Sequence, residues 1–228
     1  MGIEVKICGL SSAATLDAAL EAGADLVGFV HFPRSPRHVP LEAAPALVAR
    51  VGGRARTVLL LVDPDDATLG AAVAAFKPDI LQLHGRETPE RVGEIRARTG
   101  RPVMKALPVA RAEDLAQVPA YAAVADRLLF DAKPLPDDAL PGGNGRPFDW
   151  RLLAGLDPGR PVMLSGGLDA GNVSQALAAV RLDGVDVSSG VETAPGVKSA
   201  DKIFAFVRAA RAAAAAAPAA PIGKVQAP

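Results

Sequence analysis

Residues 161–190 read PVMLSGGLDAGNVSQALAAVRLDGVDVSSG and contain one strand–helix–strand unit. Two short apolar runs, Pro161–Leu164 and Gly184–Val187, flank the helical pattern AGNVSQALAAV. Each run is followed by a turn of glycine and serine, SGG at 165–167 and SSG at 188–190. Strands joined by a crossover helix lie parallel in one sheet, so this unit predicts a parallel α/β architecture.

The same alternation repeats along the whole chain. The predicted strands are Glu4–Cys8, Leu26–Val30, Arg56–Val62, Ile80–Leu83, Pro102–Ala106, Leu128–Asp131, Pro161–Leu164 and Gly184–Val187. Most are near-continuous Val/Ile/Leu runs, which is typical of strands buried on both faces. Eight strand–helix pairs in 228 residues predict a single eight-stranded parallel (β/α)8 barrel, the TIM barrel. A doubly wound open sheet is the alternative, but it normally has fewer strands and a nucleotide fingerprint that the first turn, CGLSSA, lacks.

Two segments depart from the repeat. The stretch Lys133–Trp150, KPLPDDALPGGNGRPFDW, has three prolines before a glycine cluster, which predicts an irregular loop in place of a regular helix after the sixth strand. The end of the chain is rich in alanine and proline, which predicts a frayed or disordered tail over 209–228. The residues before it, 1–208, are predicted to form the catalytic barrel domain.

Composition narrows the class of protein. Half of the residues are hydrophobic, and Lys+Arg and Asp+Glu balance at 25 each, so no nucleic-acid or acidic-membrane partner is indicated. One cysteine cannot form an internal disulfide, which fits a reducing compartment. The N-terminus lacks a signal-peptide pattern, and no apolar run reaches membrane-spanning length. We therefore expect a cytoplasmic protein.

Polar side chains stand at nearly every predicted strand end. They are Cys8, Gln82, His84, Lys105 and Asp131, together with the polar residues of the segments Ser165–Gly167 and Asp186–Gly190. In a (β/α)8 barrel the carboxyl ends of the strands form the active face, so these groups predict a site there.

The turns after the last two strands predict a phosphate site. Glycine lets the backbone turn tightly and present N–H groups to an anion, and a helix N-terminus adds a favourable dipole. The candidate phosphate-binding residues are Gly166, Gly167, Ser188, Ser189 and Gly190. Many barrels hold a substrate phosphate at this position, although each turn alone is also compatible with an ordinary tight turn.

Cys8 and Asp131 end the first and sixth strands and are placed to face each other across the barrel mouth. A thiolate and a neutral carboxylic acid form a plausible base and acid, provided that nearby cations lower the pKa of the thiol. The alternatives are a packing role for the lone thiol and a helix-capping role for the carboxyl group.

These stretches resemble one family, the phosphoribosylanthranilate isomerases. The matching segments lie in the family's order between residue 5 and about residue 207: VKICGL, GADLVGFVHFPRSPRHV, LQLHGRE, MKAL, LLFDAK, GGNGRPFDW, MLSGGLDAGNV and VDVSSGVETAPGVKS. The KICG start and the SSGVE…PGxK end are specific to this family among phosphate-binding barrels.

The resemblance implies an Amadori rearrangement of N-(5-phosphoribosyl)anthranilate in tryptophan biosynthesis, without metal or cofactor. It implies that Asp131 is the general acid on the ring oxygen and Cys8 the general base on the second carbon of the sugar. It further implies that Arg37 engages the anthranilate carboxylate. Gln82, His84 and Asp186 are additional candidate substrate-binding residues.

Two other functions stay open at this point. The related aminoimidazole ribotide isomerase uses paired aspartates and a repeated half-barrel, whereas this chain offers Cys8 and no clear repeat. A non-catalytic phosphosugar-binding module has no reason to carry both Cys8 and Asp131. The expected partner is the small-molecule substrate, and the expected oligomeric state is a monomer or a homodimer.

Overall fold

Eight parallel strands form a closed barrel in chain order in the computed structural model, which describes residues 2–135, 142 and 147–216. The strands are β1 (Glu4–Cys8), β2 (Leu26–Val30), β3 (Arg56–Leu61), β4 (Ile80–Leu83), β5 (Val103–Val109), β6 (Arg127–Ala132), β7 (Val162–Leu164) and β8 (Gly184–Val187). Closure is direct, because β1 pairs with β8 from Glu4↔Gly184 to Ile7↔Val187. The predicted barrel is confirmed, with strand ends shifted by at most three residues.

Seven α-helices of the described residues surround the barrel. They are α1 (Ala13–Glu21), α2 (Ala44–Val51), α3 (Asp66–Phe76), α4 (Pro89–Thr99), α5 (Val118–Val124), α6 (Val173–Ala179) and α7 (Ala200–Ala216). Side-chain caps explain several starts: Ser12, Asp65 and Thr88 accept hydrogen bonds from backbone N–H groups three residues later. Asp169, by contrast, accepts from the N–H groups of the turn that precedes α6.

A short antiparallel hairpin follows β8 and was not predicted. Its strands are β9 (Glu192–Ala194) and β10 (Val197–Lys198). They are only three and two residues long, so they carry too little periodicity to be recognised from sequence. The hairpin carries Glu192 and Lys198 back over the barrel mouth, where both are buried.

The two segments predicted to be irregular are only partly described. Between β6 and β7 the helical element among the described residues is one 3₁₀ turn, Trp150–Leu153, and positions 136–141 and 143–146 lie outside them. Helix α7 runs to Ala216, so the predicted domain boundary at 208 falls inside a helix, and residues 217–228 lie outside the described part. Within the described part, no helix is both long and apolar enough to cross a membrane.

Alternation along the strands decides which side chains enter the barrel. A compact interior cluster is formed by Leu26, Val58, Ile80, Met104, Ala106, Leu129 and Met163. Lys105 lies between two of these residues and therefore points outward to the helices, so its predicted place on the active face is wrong. Its ammonium group binds Glu87 Oε2 at 2.8 Å and the carbonyl of Gly85 at 2.8 Å. This pair fixes the loop after β4.

We expect Lys105→Met to lower the free energy of unfolding by about 3–5 kcal/mol, because it leaves the buried Glu87 carboxylate without its cation. Lys133→Met is the matched control: it removes an exposed ion pair with Asp114 and should cost less than about 1 kcal/mol. Urea unfolding of both variants measures the difference. Equal losses would contradict the buried placement of Lys105.

Candidate active site

One cavity opens at the carboxyl ends of the strands, with a volume of about 670 Å³ including its open mouth. Its lining includes ten of the predicted site residues: Cys8, Arg37, Gln82, His84, Asp131, Gly166, Gly167, Asp186, Ser188 and Ser189. Inward-facing positions repeat every second residue, which is why Gln82 and His84 share a face and so do Asp186 and Ser188. Gly190 does not line the cavity. It packs against the carbonyl of Leu168, where a Cβ would lie 1.9 Å from the oxygen.

The Cys8 thiol lies above a buried ion pair. Lys6, two residues earlier on β1, is fully buried, and its Nζ donates to Asp186 Oδ1 at 2.9 Å. Asp186 Oδ2 in turn accepts from Ser165 Oγ at 3.2 Å. A Cβ on Gly28 of β2 would lie 3.0 Å from Cys8 Sγ and 3.2 Å from Lys6 Nζ, so both side chains extend over a position where any larger residue would be crowded.

Burial controls the charge state of the thiol. Burial raises the pKa of Cys8 above its ordinary value, and the cations Lys6 and Lys198 oppose this shift only in part. The expectation of a pKa lowered by cations is therefore wrong, because desolvation outweighs them. Burial also acts to lower the pKa of Lys6, but the neighbouring charges of Asp186 and Cys8 outweigh it and the pKa is raised. Lys6 is thus a permanent cation beside the thiol.

Asp131 has two polar contacts. Its Oδ1 accepts from the N–H of Ala132 at 2.9 Å, and its Oδ2 lies 3.1 Å from His84 Nε2. His84 Nδ1 lies 3.0 Å from Gln82 Nε2 on the same strand. The carboxyl group is buried but lines the cavity, and it lies at the end of β6 as predicted.

Arg37 is fixed by a fork-shaped contact with the hairpin. Its Nε and Nη2 donate to the two carboxylate oxygens of Glu192 at 2.7 and 2.8 Å, and the ion pair is buried. Lys198 Nζ donates to Glu192 Oε1 at 2.8 Å and to the Ser188 carbonyl at 2.8 Å. Burial acts to raise the pKa of Glu192, but Arg37 and Lys198 outweigh it and the pKa is lowered. These two hairpin residues were missed as site residues; their one signal was the SSGVE…PGxK motif.

The turn after β7 packs directly on the strand that carries the carboxyl group. Gly166 has φ of 86°, and a Cβ there would lie 2.5 Å from the Ala132 nitrogen and 2.9 Å from Asp131 Oδ1. Glycine is therefore required for conformation and for space at once. The turn brings its backbone to the cavity beside the carboxyl group.

A closed eight-stranded barrel, with a cavity that Cys8 and Asp131 line at the carboxyl ends of the strands, defines a (β/α)8-barrel enzyme. The family model for N-(5'-phosphoribosyl)anthranilate isomerase matches residues 5–209. The chain belongs to this family, and the resemblance found in the sequence is confirmed.

Individual relatives are similar to this chain over nearly its whole length. The isomerase of Azorhizobium caulinodans is 80% identical over 228 residues, which is all of both chains. A solved family member in complex with reduced 1-(o-carboxyphenylamino)-1-deoxyribulose 5-phosphate is 32% identical, with a TM-score of 0.80 over 92% of this chain and 99% of that one. Monomers generated from the dimeric Thermotoga maritima enzyme are 33% identical, with a TM-score of 0.78 and the same coverage of both chains.

We expect Gly166→Ala to reduce kcat/KM by about a hundredfold, because the new Cβ forces the turn away from Ala132 and Asp131. Gly155→Ala is the matched control, since Gly155 has a similar φ of 76° but a Cβ added there would meet no atom within 4 Å. Both variants lose the same backbone freedom, so steady-state kinetics isolate the steric effect. An equal loss in both would show that the turn has no special contact.

Proposed function

We propose that this chain converts N-(5-phosphoribosyl)anthranilate to 1-(2-carboxyphenylamino)-1-deoxyribulose 5-phosphate by general acid/base catalysis. The observation that carries the proposal is that Cys8 and Asp131 line one cavity together with the glycine and serine turns that follow β7 and β8. A phosphate held at the turns by Gly166, Gly167, Ser188 and Ser189 leaves the sugar carbons between the thiol and the carboxyl group. Gly190, which packs against the carbonyl of Leu168, is proposed to contribute its backbone N–H to the same phosphate site.

The chemistry begins with two proton transfers. Asp131 donates its proton to the furanose ring oxygen, the bond between that oxygen and the first carbon breaks, and the anilino nitrogen lone pair forms the Schiff base. The Cys8 thiolate then removes the proton from the second carbon, and the electron pair neutralises the iminium group to give an enolamine. Tautomerisation of the enolamine gives the ketone, so the substrate is isomerised with no net change in protons or electrons.

Two cations are proposed to support the binding of an anionic substrate, and one carboxylate lies near them. The guanidinium of Arg37 is preorganised by Glu192 and is proposed to face the anthranilate carboxylate. Lys198 contacts the carbonyl and the hydroxyl of Ser188, at 2.8 and 3.1 Å, and so steadies the proposed phosphate turn. Asp186 is bound by Lys6 and Ser165, which places it below the thiol as a partner for the substrate amine or for the turn.

The compartment, the partner and the oligomeric state complete the proposal. We propose a cytoplasmic enzyme whose partner is its small-molecule substrate, present as a monomer or a homodimer. The dimeric state of the Thermotoga maritima relative supports the second form. Light scattering of the purified chain distinguishes the two.

We expect Cys8→Ala and Asp131→Asn each to lower kcat by at least about a hundredfold while binding of the reduced product analogue is retained. The loss follows because each variant removes one proton-transfer group and leaves the phosphate turns intact. Loss of substrate fluorescence measures turnover, and calorimetry measures binding. Near-normal turnover of Cys8→Ala would refute the base assignment. Ser11→Ala, an exposed position outside the cavity, is the matched control.

The pH profile provides an independent check. Because burial raises the pKa of Cys8, the thiol is mostly protonated near neutral pH, and the reactive thiolate increases as the pH rises. We expect kcat/KM to increase by up to about tenfold per pH unit between roughly pH 6 and 8. A profile that is flat over this interval would mean that the thiolate is already formed. Stopped-flow fluorescence at constant ionic strength gives the measurement.

A further inference from the structure

Gln82, His84 and Asp131 form a hydrogen-bonded series beside the cavity. Gln82 Nε2 lies 3.0 Å from His84 Nδ1, and His84 Nε2 lies 3.1 Å from Asp131 Oδ2. Gln82 is fully buried, and His84 is largely so. We propose that Gln82 is a positioning residue that holds His84 in its Nε2–H tautomer and thereby orients the carboxyl group of Asp131 through Oδ2.

The two contacts of the imidazole ring are mutually consistent. A neutral imidazole carries one proton, so one ring nitrogen donates and the other accepts. The amide N–H of Gln82 donates to Nδ1, which must then carry the lone pair. The ring proton is left on Nε2, where it is donated to Asp131 Oδ2.

The side chain of Gln82 is committed to this one contact. Within the described part of the chain, its Oε1 is buried without a hydrogen-bond partner. Its amide group therefore has His84 as its polar neighbour there, rather than a network that would hold it for other reasons. A buried amide with a single polar contact is informative because burial of such a group is unfavourable unless the contact is useful.

The two oxygens of Asp131 have different neighbours. Oδ2 faces the His84 N–H, and Gly142 covers this contact so closely that a Cβ there would lie 2.5 Å from Nε2 and 2.6 Å from Oδ2. Both oxygens have an N–H neighbour, Oδ2 the imidazole of His84 and Oδ1 the backbone of Ala132, so the two contacts together fix the plane of the carboxyl group. Oδ1 lies against Gly166 of the turn after β7, and this edge of the carboxyl group faces a ligand held by that turn.

This inference rests on the proposed role of Asp131 as general acid, but its first test does not. The chain has three histidines, so nitrogen NMR of protein labelled at histidine resolves each ring, and a His84→Gln variant assigns the signal. We expect a protonated Nε2 and an unprotonated Nδ1 in the ligand-free wild-type protein. The opposite tautomer would overturn the proposal, and this result needs no Gln82 variant to fold.

Two variants then test the effect on turnover. Gln82→Met keeps the volume but cannot donate, and Gln82→Glu offers only acceptors and favours a proton on Nδ1. We expect both to change the tautomer signal and to lower kcat by about tenfold or more, while the affinity for the reduced product analogue stays within about twofold. Gln117→Met, whose side chain contacts only a backbone carbonyl far from the cavity, is the matched control.

The outcomes separate the possible roles. Unchanged kcat in Gln82→Met, or weaker analogue binding at constant kcat, would overturn the proposal, and the second result would identify Gln82 as a substrate contact. If Asp131→Asn keeps its turnover, the acid assignment fails while the tautomer result still stands. The two failures are therefore distinguishable.

Discussion

The buried ion pair between Lys6 and Asp186 links β1 and β8, the first and last strands of the barrel. Lys6 and Asp186 are register partners on β1 and β8, and their inward direction follows from the register that closes the sheet. Removing two charges from water is costly, so such a pair persists where its geometry is good and further hydrogen bonds satisfy it. Here the pair lies directly below the thiol. The contact that accompanies closure of the fold therefore also sets the electrostatic environment of Cys8.

A second ionic group organises the mouth of the barrel around the turn after β8. Glu192 is shared between Arg37 and Lys198, so one carboxylate fixes two cations before any ligand arrives. Cations held in place by protein partners need no reorganisation when an anion binds, which is the condition for effective electrostatic stabilisation. Since Lys198 also contacts Ser188, the same group connects the arginine loop to the turn after β8.

Sequence periodicity was sufficient for the barrel and for the ends of its strands. Cys8 and Asp131 could be placed because side chains alternate along strands and active groups gather at the carboxyl ends. The prediction for Lys105 was wrong because a shift of one residue along a strand moves a side chain from the barrel interior to the side that faces the helices. Glu192 was missed because a three-residue strand has no readable period, and its contact with Arg37 spans 155 positions. The pKa direction of Cys8 depends on the balance of burial against nearby charge, which no linear pattern contains.

The proposed base and the proposed acid are supported in opposite ways, and the difference matches their tasks. A base must lose its proton before it acts, and Cys8 has a permanent ammonium group, Lys6, beside it to favour the anion. An acid must keep its proton until transfer, and a full positive charge beside it would favour early ionisation. Asp131 instead faces the N–H of Ala132 and the imidazole of His84. These two contacts orient the carboxyl group toward the cavity. The thiol and the carboxyl group thus lie in one cavity with different neighbours, an ammonium group below the first and directional polar contacts at the second.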